Sequence, residues 1–378
     1  MKKILVMYAT AGIGHKKAAV AIKKAFDEMP PEDCEITLID SLDYTNDVFK
    51  KGYLGSYLFM VNKMPKFWGL SYYLTDNYYF NLLVGRWMRR LNNSFHSRRL
   101  EEFLKEKKFD VIISTHFFGS EVVAALKRKK VINSRLVTIV TDYQLHSWWV
   151  AEPTDMYVVA GEDAKNDLLR WKVDQSKISV LGIPVEPIFS KPVDAAKARL
   201  TLGFRDNVFT ILVIGGGFGV GPIEEIVKVV NSMSYPVQLI AVCGHNEELV
   251  KKLESVNLRS DVKMKVFGFI DNVYEYMSVS DILISKSGGI TVSESLAKEL
   301  PMLIIAPIMG QETRNSDVLI KHNAAIKIGD IRELSGVLED LAIHRDKINL
   351  LRNNIMSIKK PNACYDVAKL AIDMAGKI

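Results

Sequence analysis

A histidine stands where the first strand-like segment of the chain passes into a helical pattern. Residues 4–8 form a continuous apolar run, and Thr10-Ala11-Gly12-Ile13-Gly14-His15 follows it directly. Glycines allow the backbone to approach a ligand closely, and the start of a helix offers unpaired N–H groups and the positive end of a dipole. Because that dipole disfavours a protonated imidazole, we expect His15 to stay neutral and to serve as a general base. A capping or packing role for His15 is the alternative.

A second glycine-rich segment, Gly215-Gly216-Gly217-Phe218-Gly219-Val220-Gly221, also lies between a strand-like and a helix-like stretch. It departs from the dinucleotide-binding fingerprint, because the last glycine position of that pattern falls on Val220 or on Pro222. The next predicted strand ends at Cys243-Gly244, without the acidic residue that would bind a ribose diol. We expect this loop to lie against a diphosphate, and a tight turn alone is the alternative.

A third segment, residues 286–294, follows another strand-like run. Gly288 and Gly289 would open a helix whose N-terminus suits a phosphate. Val292 marks the buried face of this helix, and Glu294 lies roughly 200° around the helix from it. We therefore expect the Glu294 carboxylate to point away from the core and to accept two ribose hydroxyls. A solvated first-turn glutamate, favoured by the helix dipole, is the alternative.

A fourth segment, residues 307–315, follows the strand-like run at 302–306. Gln311 and Glu312 are adjacent there, and together they offer hydrogen-bond donors and acceptors at the carboxyl end of a strand. Several sugar hydroxyls require such a set. The segment would pass for an ordinary polar loop if it did not come one strand after the loop that contains Ser287.

All four segments follow predicted strands, so the strands must position the chemistry. Continuous apolar runs are typical of strands in a parallel sheet that is covered on both faces. They occur at residues 4–8, 36–39, 109–114, 136–140 and 156–159, and again at 209–214, 237–242, 262–266, 282–285 and 302–306. A proline-punctuated stretch near residues 181–192 separates the two series. The sequence therefore predicts an α/β chain of two tandem doubly wound Rossmann-like domains, residues 1–183 and 184–360. We expect the ligand to bind in a deep cleft between the two domains. The final helix, residues 361–378, is predicted to join the first domain.

Composition agrees with a globular protein that has sizeable cores. Hydrophobic residues make up 48% of the 378 residues and charged residues 25%, which excludes a disordered chain, a collagen-like chain and a coiled-coil rod. No apolar run reaches the roughly 18 residues that a bilayer-spanning helix needs. The short apolar start is typical of a buried strand rather than a signal peptide, and the three cysteines are widely spaced. We expect a cytoplasmic protein.

Together the four segments resemble the lipid glycosyltransferases that make galactosyl- and glucosyl-diacylglycerol. These enzymes share the two-domain B-type glycosyltransferase fold with the peptidoglycan GlcNAc transferase. The likeness covers nearly the whole chain, and its most specific parts are residues 285–295, residues 307–312 and Asn315. Residues 242–246, 268–269 and 141–149 are also similar.

The resemblance implies which residues bind the donor, a UDP-hexose. Phe269 and Ile270 would contact uracil, and Glu294 the ribose. Gln311 and Glu312 would read the sugar. The remaining donor-binding residues, of which most would hold the diphosphate, are Gly14, Gly217, Phe218, Ser287, Gly288, Gly289, Thr291 and Asn315.

The resemblance also implies an in-line displacement at the anomeric carbon, which converts an α-linked donor into a β-glycoside. His15 would remove the proton of the acceptor hydroxyl, and Asp142 acting through His146 is the alternative base. Helix N-termini would stabilise the departing UDP. Because no Asp-x-Asp motif occurs in the chain, we expect neither an obligatory metal nor another cofactor.

An aromatic and basic section suggests where the acceptor would bind. Residues 50–108 contain 12 Lys/Arg and 4 Asp/Glu, and residues 49–95 hold 13 of the chain's 35 aromatic residues. Such side chains suit the headgroup layer of an anionic membrane, whereas core filling and RNA stacking are the alternatives. We expect docking on the inner face of the cell membrane, beside a diacylglycerol acceptor and without nucleic acid, through Tyr53, Tyr57, Lys63, Lys66, Phe67, Trp68, Arg86, Trp87, Arg89 and Arg90.

Other functions share parts of this pattern. An NAD-dependent oxidoreductase gains support from Asp40 at the end of the second predicted strand, but the third glycine of its fingerprint is missing after both Gly12 and Gly217. A UDP-sugar 2-epimerase would use the same fold and would not need the basic aromatic section. A UDP-GlcNAc transferase that acts on an undecaprenyl-linked precursor would differ in its acceptor. A catalytically silent UDP-sugar sensor is the last alternative, and His15 argues against it.

Overall fold

The computed structural model describes residues 1–10, 12–30, 33–77, 96–217, 219 and 221–376. Its backbone contacts divide the chain into two compact units. The first unit comprises Met1–Pro187, Ile308–Arg314 and Asn362–Ile378, and the second comprises Ile188–Pro307 and Asn315–Pro361. The domain bounds derived from the sequence remain a prediction.

The first unit is built on a six-stranded parallel sheet. Its strands are β1 (Lys2–Tyr8), β2 (Cys34–Asp40), β3 (Val111–Ser114), β4 (Arg135–Ile139), β5 (Met156–Val159) and β6 (Ile178–Val180), in the order β2-β1-β3-β4-β5-β6. Among the described residues, the helices between them are α1 (Ile13–Glu28), α2 (Asp47–Lys63), α3 (Pro65–Thr75), α4 (Arg98–Lys107), α5 (Phe117–Arg128) and α6 (Glu162–Arg170). Because β1 lies between β2 and β3, the chain turns to opposite sides of the sheet after β1 and β3, and ligands bind at such a switch point.

The second unit repeats this plan. Its strands are β7 (Phe209–Ile214), β8 (Val237–Val242), β9 (Val262–Phe267), β10 (Ile282–Ser285), β11 (Met302–Ile304) and β12 (Ala325–Lys327), in the parallel order β12-β11-β10-β7-β8-β9. Its helices are α7 (Ala195–Thr201), α8 (Ile223–Ser232), α9 (Glu247–Glu254), α10 (Val273–Val279), α11 (Gly289–Ala297), α12 (Gln311–Lys321), α13 (Leu334–Ile343) and α14 (Arg345–Ile358). The first turn of α12 falls within the segment that the contacts assign to the first unit.

The last helix, α15 (Ala363–Gly376), belongs to the first unit and packs against α1. The side chains of β1 show that helices cover both faces of that sheet. Ile4 and Val6 point into a cluster with α1 and α15, whereas Leu5 and Met7 point into a cluster with α4 and α5. Successive side chains of a strand alternate between the two faces, so an unbroken apolar run needs cover on both.

The prediction of two doubly wound parallel α/β sheets is confirmed. Two strands were missed, β6 and β12, and each has three residues and lies at an edge of its sheet. A short edge strand that includes Ser179 or Lys327 lacks the apolar run on which the prediction depended. In the described part of the chain, no helix combines the length and the apolar character that a membrane span requires.

Candidate active site

His15 lies in the first turn of α1, where the chain leaves β1 at the carboxyl edge of the sheet. Its Nδ1 is 2.8 Å from the carbonyl oxygen of Thr115 and 3.0 Å from Oγ1 of Thr141. Thr115 directly follows β3 and Thr141 lies just beyond β4, so three neighbouring strand ends meet at one imidazole. A carbonyl oxygen only accepts hydrogen bonds, so Nδ1 carries the proton and donates, and Nε2 keeps its lone pair.

The surroundings of His15 keep its ring neutral. Burial lowers the pKa of His15 to about 4, against the opposing effect of the Thr115 carbonyl. The His116 ring packs edge-on against it with 4.5 Å between ring centroids, and burial together with His15 holds the pKa of His116 well below its usual range. Within the described residues, Nε2 of His15 makes no hydrogen bond. A neutral imidazole with one unshared lone pair can accept a proton near pH 7.

The sequence predicted no role for Thr115, His116 or Thr141. His116 is buried and caps α5, because its Nδ1 accepts the backbone N–H of Phe118 at 3.1 Å. A signal was present, since polar residues directly after apolar runs mark the carboxyl ends of parallel strands. That signal identified the segments after β1 and β10 and applies equally to Thr115 and Thr141.

The alternative base, Asp142 acting through His146, has a different environment. The buried His146 accepts the backbone N–H of Trp148 at Nδ1, at 3.2 Å, and its Nε2 donates to the carbonyl oxygen of Tyr72 at 3.0 Å. Both ring nitrogens therefore hold backbone groups in place. Asp142 accepts a hydrogen bond from the Trp149 indole at 3.3 Å. These contacts favour His15 over the relay as the proton acceptor.

Asp40, which supported the oxidoreductase alternative, fixes the loop that leads to His15. Its Oδ1 accepts the backbone N–H groups of Thr10 at 3.3 Å and Leu42 at 2.9 Å, and its Oδ2 accepts the Thr10 hydroxyl. The carboxylate is buried in these contacts. It therefore orders the loop after β1, which is a structural role and not that of a ribose ligand.

In the second unit, the loops after β7 and β8 pack backbone against backbone. Gly219 has φ of +62° and Gly244 has φ of +56°. A Cβ on Gly219 would lie 2.0 Å from the Cys243 carbonyl oxygen, and one on Gly244 would lie 2.5 Å from the Gly217 carbonyl oxygen. Both positions require glycine for conformation and for space. Contact with a diphosphate through Gly217 remains a prediction, and Phe218 lies outside the described residues.

Phe269 and His245 form an aromatic pair just beyond the carboxyl ends of β9 and β8. Their rings are nearly parallel, at 5°, with centroids 4.6 Å apart, and both residues are exposed. Ile270, the next residue, is half-buried. The pair offers a flat surface of the kind that a nucleobase requires for stacking. Phe269 is among the residues predicted to bind the donor, whereas no role was predicted for His245.

The segment after β10 begins α11 at Gly289, with Gly288 as its N-cap. The Ser287 carbonyl accepts the Asn315 side-chain amide at 3.0 Å, and both residues are fully buried. The N-cap is a glycine, which has no side chain to occupy the first backbone amides, and such a helix start suits a ligand. Thr291, in the first turn, is half-buried. The phosphate-binding role of this segment remains a prediction.

Glu294 is buried, which argues against the alternative of a solvated first-turn glutamate. The residue is only 5% exposed, and it lies outside the hydrophobic core cluster of the second unit. The helix is enclosed on most sides, since its residues 292–296 are all buried. An angle around a helix separates core from solvent only where one face is covered, and α11 is covered more widely. The ribose-binding role of Glu294 remains a prediction.

Gln311 and Glu312 begin α12 inside the first unit. Glu312 is buried, and its Oε2 accepts the backbone N–H of Ile308 at 2.7 Å, which closes the loop before the helix. Gln311 is half-buried. Their sugar-reading role is untested and stays a prediction.

The described residues that were predicted to meet a membrane lie in α2 and α3, and they differ in exposure. Lys63, Lys66 and Phe67 are exposed. Trp68 is only 7% exposed and packs beside Tyr72, so the expectation that it faces a membrane is wrong. Adjacent residues of a helix point about 100° apart, which places Trp68 on the covered side. The side chains of Tyr53 and Tyr57 are not described, and Arg86, Trp87, Arg89 and Arg90 lie outside the described residues.

Two family models match the chain, one in each half. The model described as monogalactosyldiacylglycerol (MGDG) synthase matches residues 15–185, and the one described as the glycosyltransferase family 28 C-terminal domain matches residues 210–369. A processive diacylglycerol beta-glucosyltransferase of Bacillus cereus is 29% identical over 354 residues, covering 93% of this chain and 87% of that protein. The two halves of the chain therefore resemble the parts of a diacylglycerol glycosyltransferase, as the sequence motifs predicted.

A plant enzyme and a solved structure are also similar to this lipid glycosyltransferase. The chloroplastic monogalactosyldiacylglycerol synthase 1 of Arabidopsis thaliana is 28% identical over 380 residues, covering 97% of this chain and 70% of that one. The crystal structure of Acinetobacter baumannii MurG has a TM-score of 0.65 at 14% identity, with 99% of this chain and 100% of that chain covered, and it shows the shared fold. The resemblance stated from the sequence is confirmed, and the chain is an enzyme that transfers a sugar.

Proposed function

We propose that this lipid glycosyltransferase moves a hexose from a UDP-hexose to diacylglycerol with inversion to a β-glycoside, and that His15 is its general base. The observation that carries the proposal is the hydrogen bond from His15 Nδ1 to the Thr115 carbonyl, which leaves the lone pair on Nε2. The diacylglycerol acceptor is the one in the name of the Bacillus cereus relative.

The proposed step is a single displacement. The acceptor hydroxyl oxygen attacks the anomeric carbon, and its proton passes to Nε2 of His15. The bond from the anomeric carbon to the β-phosphate oxygen breaks, and its electron pair leaves with UDP. As Nε2 gains the proton, the Thr115 carbonyl accepts a stronger, charge-assisted hydrogen bond from Nδ1. The start of α11, where Gly288 is the N-cap, stabilises the charge of the departing UDP.

We place the acceptor at an anionic membrane, on the inner face of the cell membrane. The outer face of α3 carries Phe67, Leu70 and Leu74, which are each more than half exposed and follow helical i, i+3, i+7 spacing. Lys63, the last residue of α2, and Lys66, in the first turn of α3, precede this apolar stripe in the chain and are exposed. An apolar stripe with cations nearby supports binding to a surface of anionic lipid.

The test is a transfer assay with purified protein, each labelled UDP-hexose in turn, and anionic vesicles that contain diacylglycerol. Label from one donor should enter the lipid phase, and His15→Gln should lower kcat by about 10²–10⁴-fold, the usual contribution of a general base. UDP affinity should be unchanged in His15→Gln, and EDTA should have no effect on transfer. Full activity in His15→Gln, or no transfer by the wild-type protein, would contradict the proposal.

A further inference from the structure

The Arg314 side chain, in the first turn of α12, binds to residues at the C-terminal end of α3. One guanidinium nitrogen lies 2.6 Å from Oδ2 of Asp76, and the other donates to the carbonyl oxygen of Leu145 at 2.9 Å. The guanidinium also lies over the rings of Tyr72 and Tyr73, at 5.1 and 5.4 Å from their centroids. All five residues belong to the first unit. Arginine thus uses its planar fork and its π-stacking surface together, which lysine cannot reproduce.

The Arg314–Asp76 pair is sheltered and built into its surroundings. The two side chains are 17% and 15% exposed, so solvent screens their attraction less than on an open surface. Asp76 uses its other oxygen, Oδ1, to accept the backbone N–H of Ser147 at 2.6 Å. One carboxylate therefore fixes both the loop before Trp148 and the start of α12.

The segment before Arg314, residues 309–310, also packs against α3. A Cβ on Gly310, which has φ of +96°, would lie 2.7 Å from the Tyr72 ring. A Cβ on Gly69 would lie 2.9 Å from that of Met309. Glycine on each side thus permits a close approach of residues 309–310 to α3. Gln311 and Glu312 come directly next, between this contact and Arg314.

We propose that Arg314 is a positioning residue for the donor sugar, which holds the first turn of α12 against α3 so that Gln311 and Glu312 meet the hexose. The inference rests on the proposed function of that turn as the sugar reader. It assigns to Arg314 no contact with substrate. Loss of the Arg314 guanidinium should therefore weaken only the part of the donor affinity that comes from contacts with the sugar.

A comparison of the affinities for UDP and for UDP-hexose separates this role from a merely structural one, because UDP lacks the hexose. The affinities of both ligands should be measured by calorimetry for the wild type, Arg314→Gln and Arg314→Lys. The control is Arg332→Gln, since Arg332 is an exposed arginine of the second unit that also pairs with an aspartate, Asp330. Thermal unfolding of each variant shows whether it is folded.

In Arg314→Gln, we expect UDP to bind as in the wild type and the Kd for UDP-hexose to rise about tenfold, because small displacements of substrate-positioning groups are costly. Arg314→Lys should recover only part of the loss, since it keeps the charge and not the fork. Arg332→Gln should bind both ligands normally. Equal weakening of UDP and UDP-hexose, or no change in either, would overturn the inference while leaving the proposed function intact. If the wild-type protein bound UDP and UDP-hexose with equal affinity, that result would instead overturn the predicted role of Gln311 and Glu312.

Discussion

The imidazole of His15 donates from Nδ1 to the carbonyl oxygen of Thr115, at 2.8 Å. This bond sets the tautomer, and the tautomer decides which nitrogen can receive a proton. A backbone carbonyl is a weaker partner than a carboxylate, and burial dominates, which is why the pKa of His15 falls to about 4. The proposed base is therefore neutral throughout the physiological range of pH.

The pH dependence of transfer should reflect this shift. A histidine whose pKa is lowered stays unprotonated until the pH approaches that lower value. We expect kcat/KM to be independent of His15 titration above about pH 5.5 and to fall only towards the pKa of about 4. The measurement is a rate profile between pH 4.5 and pH 8 on vesicles of constant charge. A decline centred near pH 6.5, the usual histidine value, would contradict the environment described for His15.

The stability of the fold should fall with acid for the same reason. The buried, neutral His15 and His116 have lowered pKa values, so between their folded and unfolded values the unfolded chain binds more protons. Their contribution is complete above about pH 6.5 and is lost as the pH drops towards 4. Urea unfolding at pH 7 and pH 5 should show it. His116→Asn keeps an oxygen to cap α5 and removes the titrating ring, so its unfolding free energy should depend less on pH.

The Thr141 hydroxyl should increase the activity of His15 as a base without being essential for transfer. Its Oγ1 lies 3.0 Å from Nδ1 of His15 beside the stronger contact to Thr115. Thr141→Val should lower kcat about two- to tenfold, the usual worth of one neutral hydrogen bond. Thr138→Val is the control, since its buried hydroxyl donates to Ser120 at 3.0 Å and does not contact His15. Equal effects of the two substitutions on kcat would show that Thr141 acts only through packing.

The paired glycine loops of the second unit should tolerate no side chain. Gly244→Ala would place a Cβ against the Gly217 carbonyl at positive φ, so we expect the free energy of unfolding to fall by about 1–3 kcal/mol and UDP affinity to fall with it. Gly336→Ala, within α13, meets no described atom within 4 Å and should raise stability by about 0.5–1 kcal/mol. Denaturant unfolding and UDP titration measure both. Unchanged stability in Gly244→Ala would mean that the loops separate readily.

The apolar stripe of α3 should govern attachment to vesicles. Replacing Phe67, Leu70 and Leu74 together by serine removes exposed apolar area, and we expect the partition coefficient onto anionic vesicles to fall about tenfold or more. Leu350→Ser, at an exposed leucine of α14, is the matched control and should change nothing. Binding should also weaken as salt rises, because Lys63 and Lys66 act through screened charges. Sedimentation with vesicles of varied anionic content tests both effects, and equal binding by the triple variant would exclude this face.

The sequence by itself determined the sheets and the segments that carry chemistry. Unbroken apolar runs such as residues 209–214 need cover on both faces, so they specify a parallel α/β layer without any knowledge of partners. Glycines before His15 and before Ile290 marked strand-to-helix turns in the same way. These are local properties, because they depend on neighbouring residues and on the geometry of one helix or strand.

Only the tertiary structure decided which residues meet these segments. Thr115 and Thr141 lie 100 and 126 residues from His15, and Arg314 lies 238 residues from Asp76. Sheet order and register bring such residues together, and a periodicity cannot encode either of them. Burial was likewise decided by packing. Glu294 and Trp68 are covered because of what surrounds their helices, which no local pattern specified.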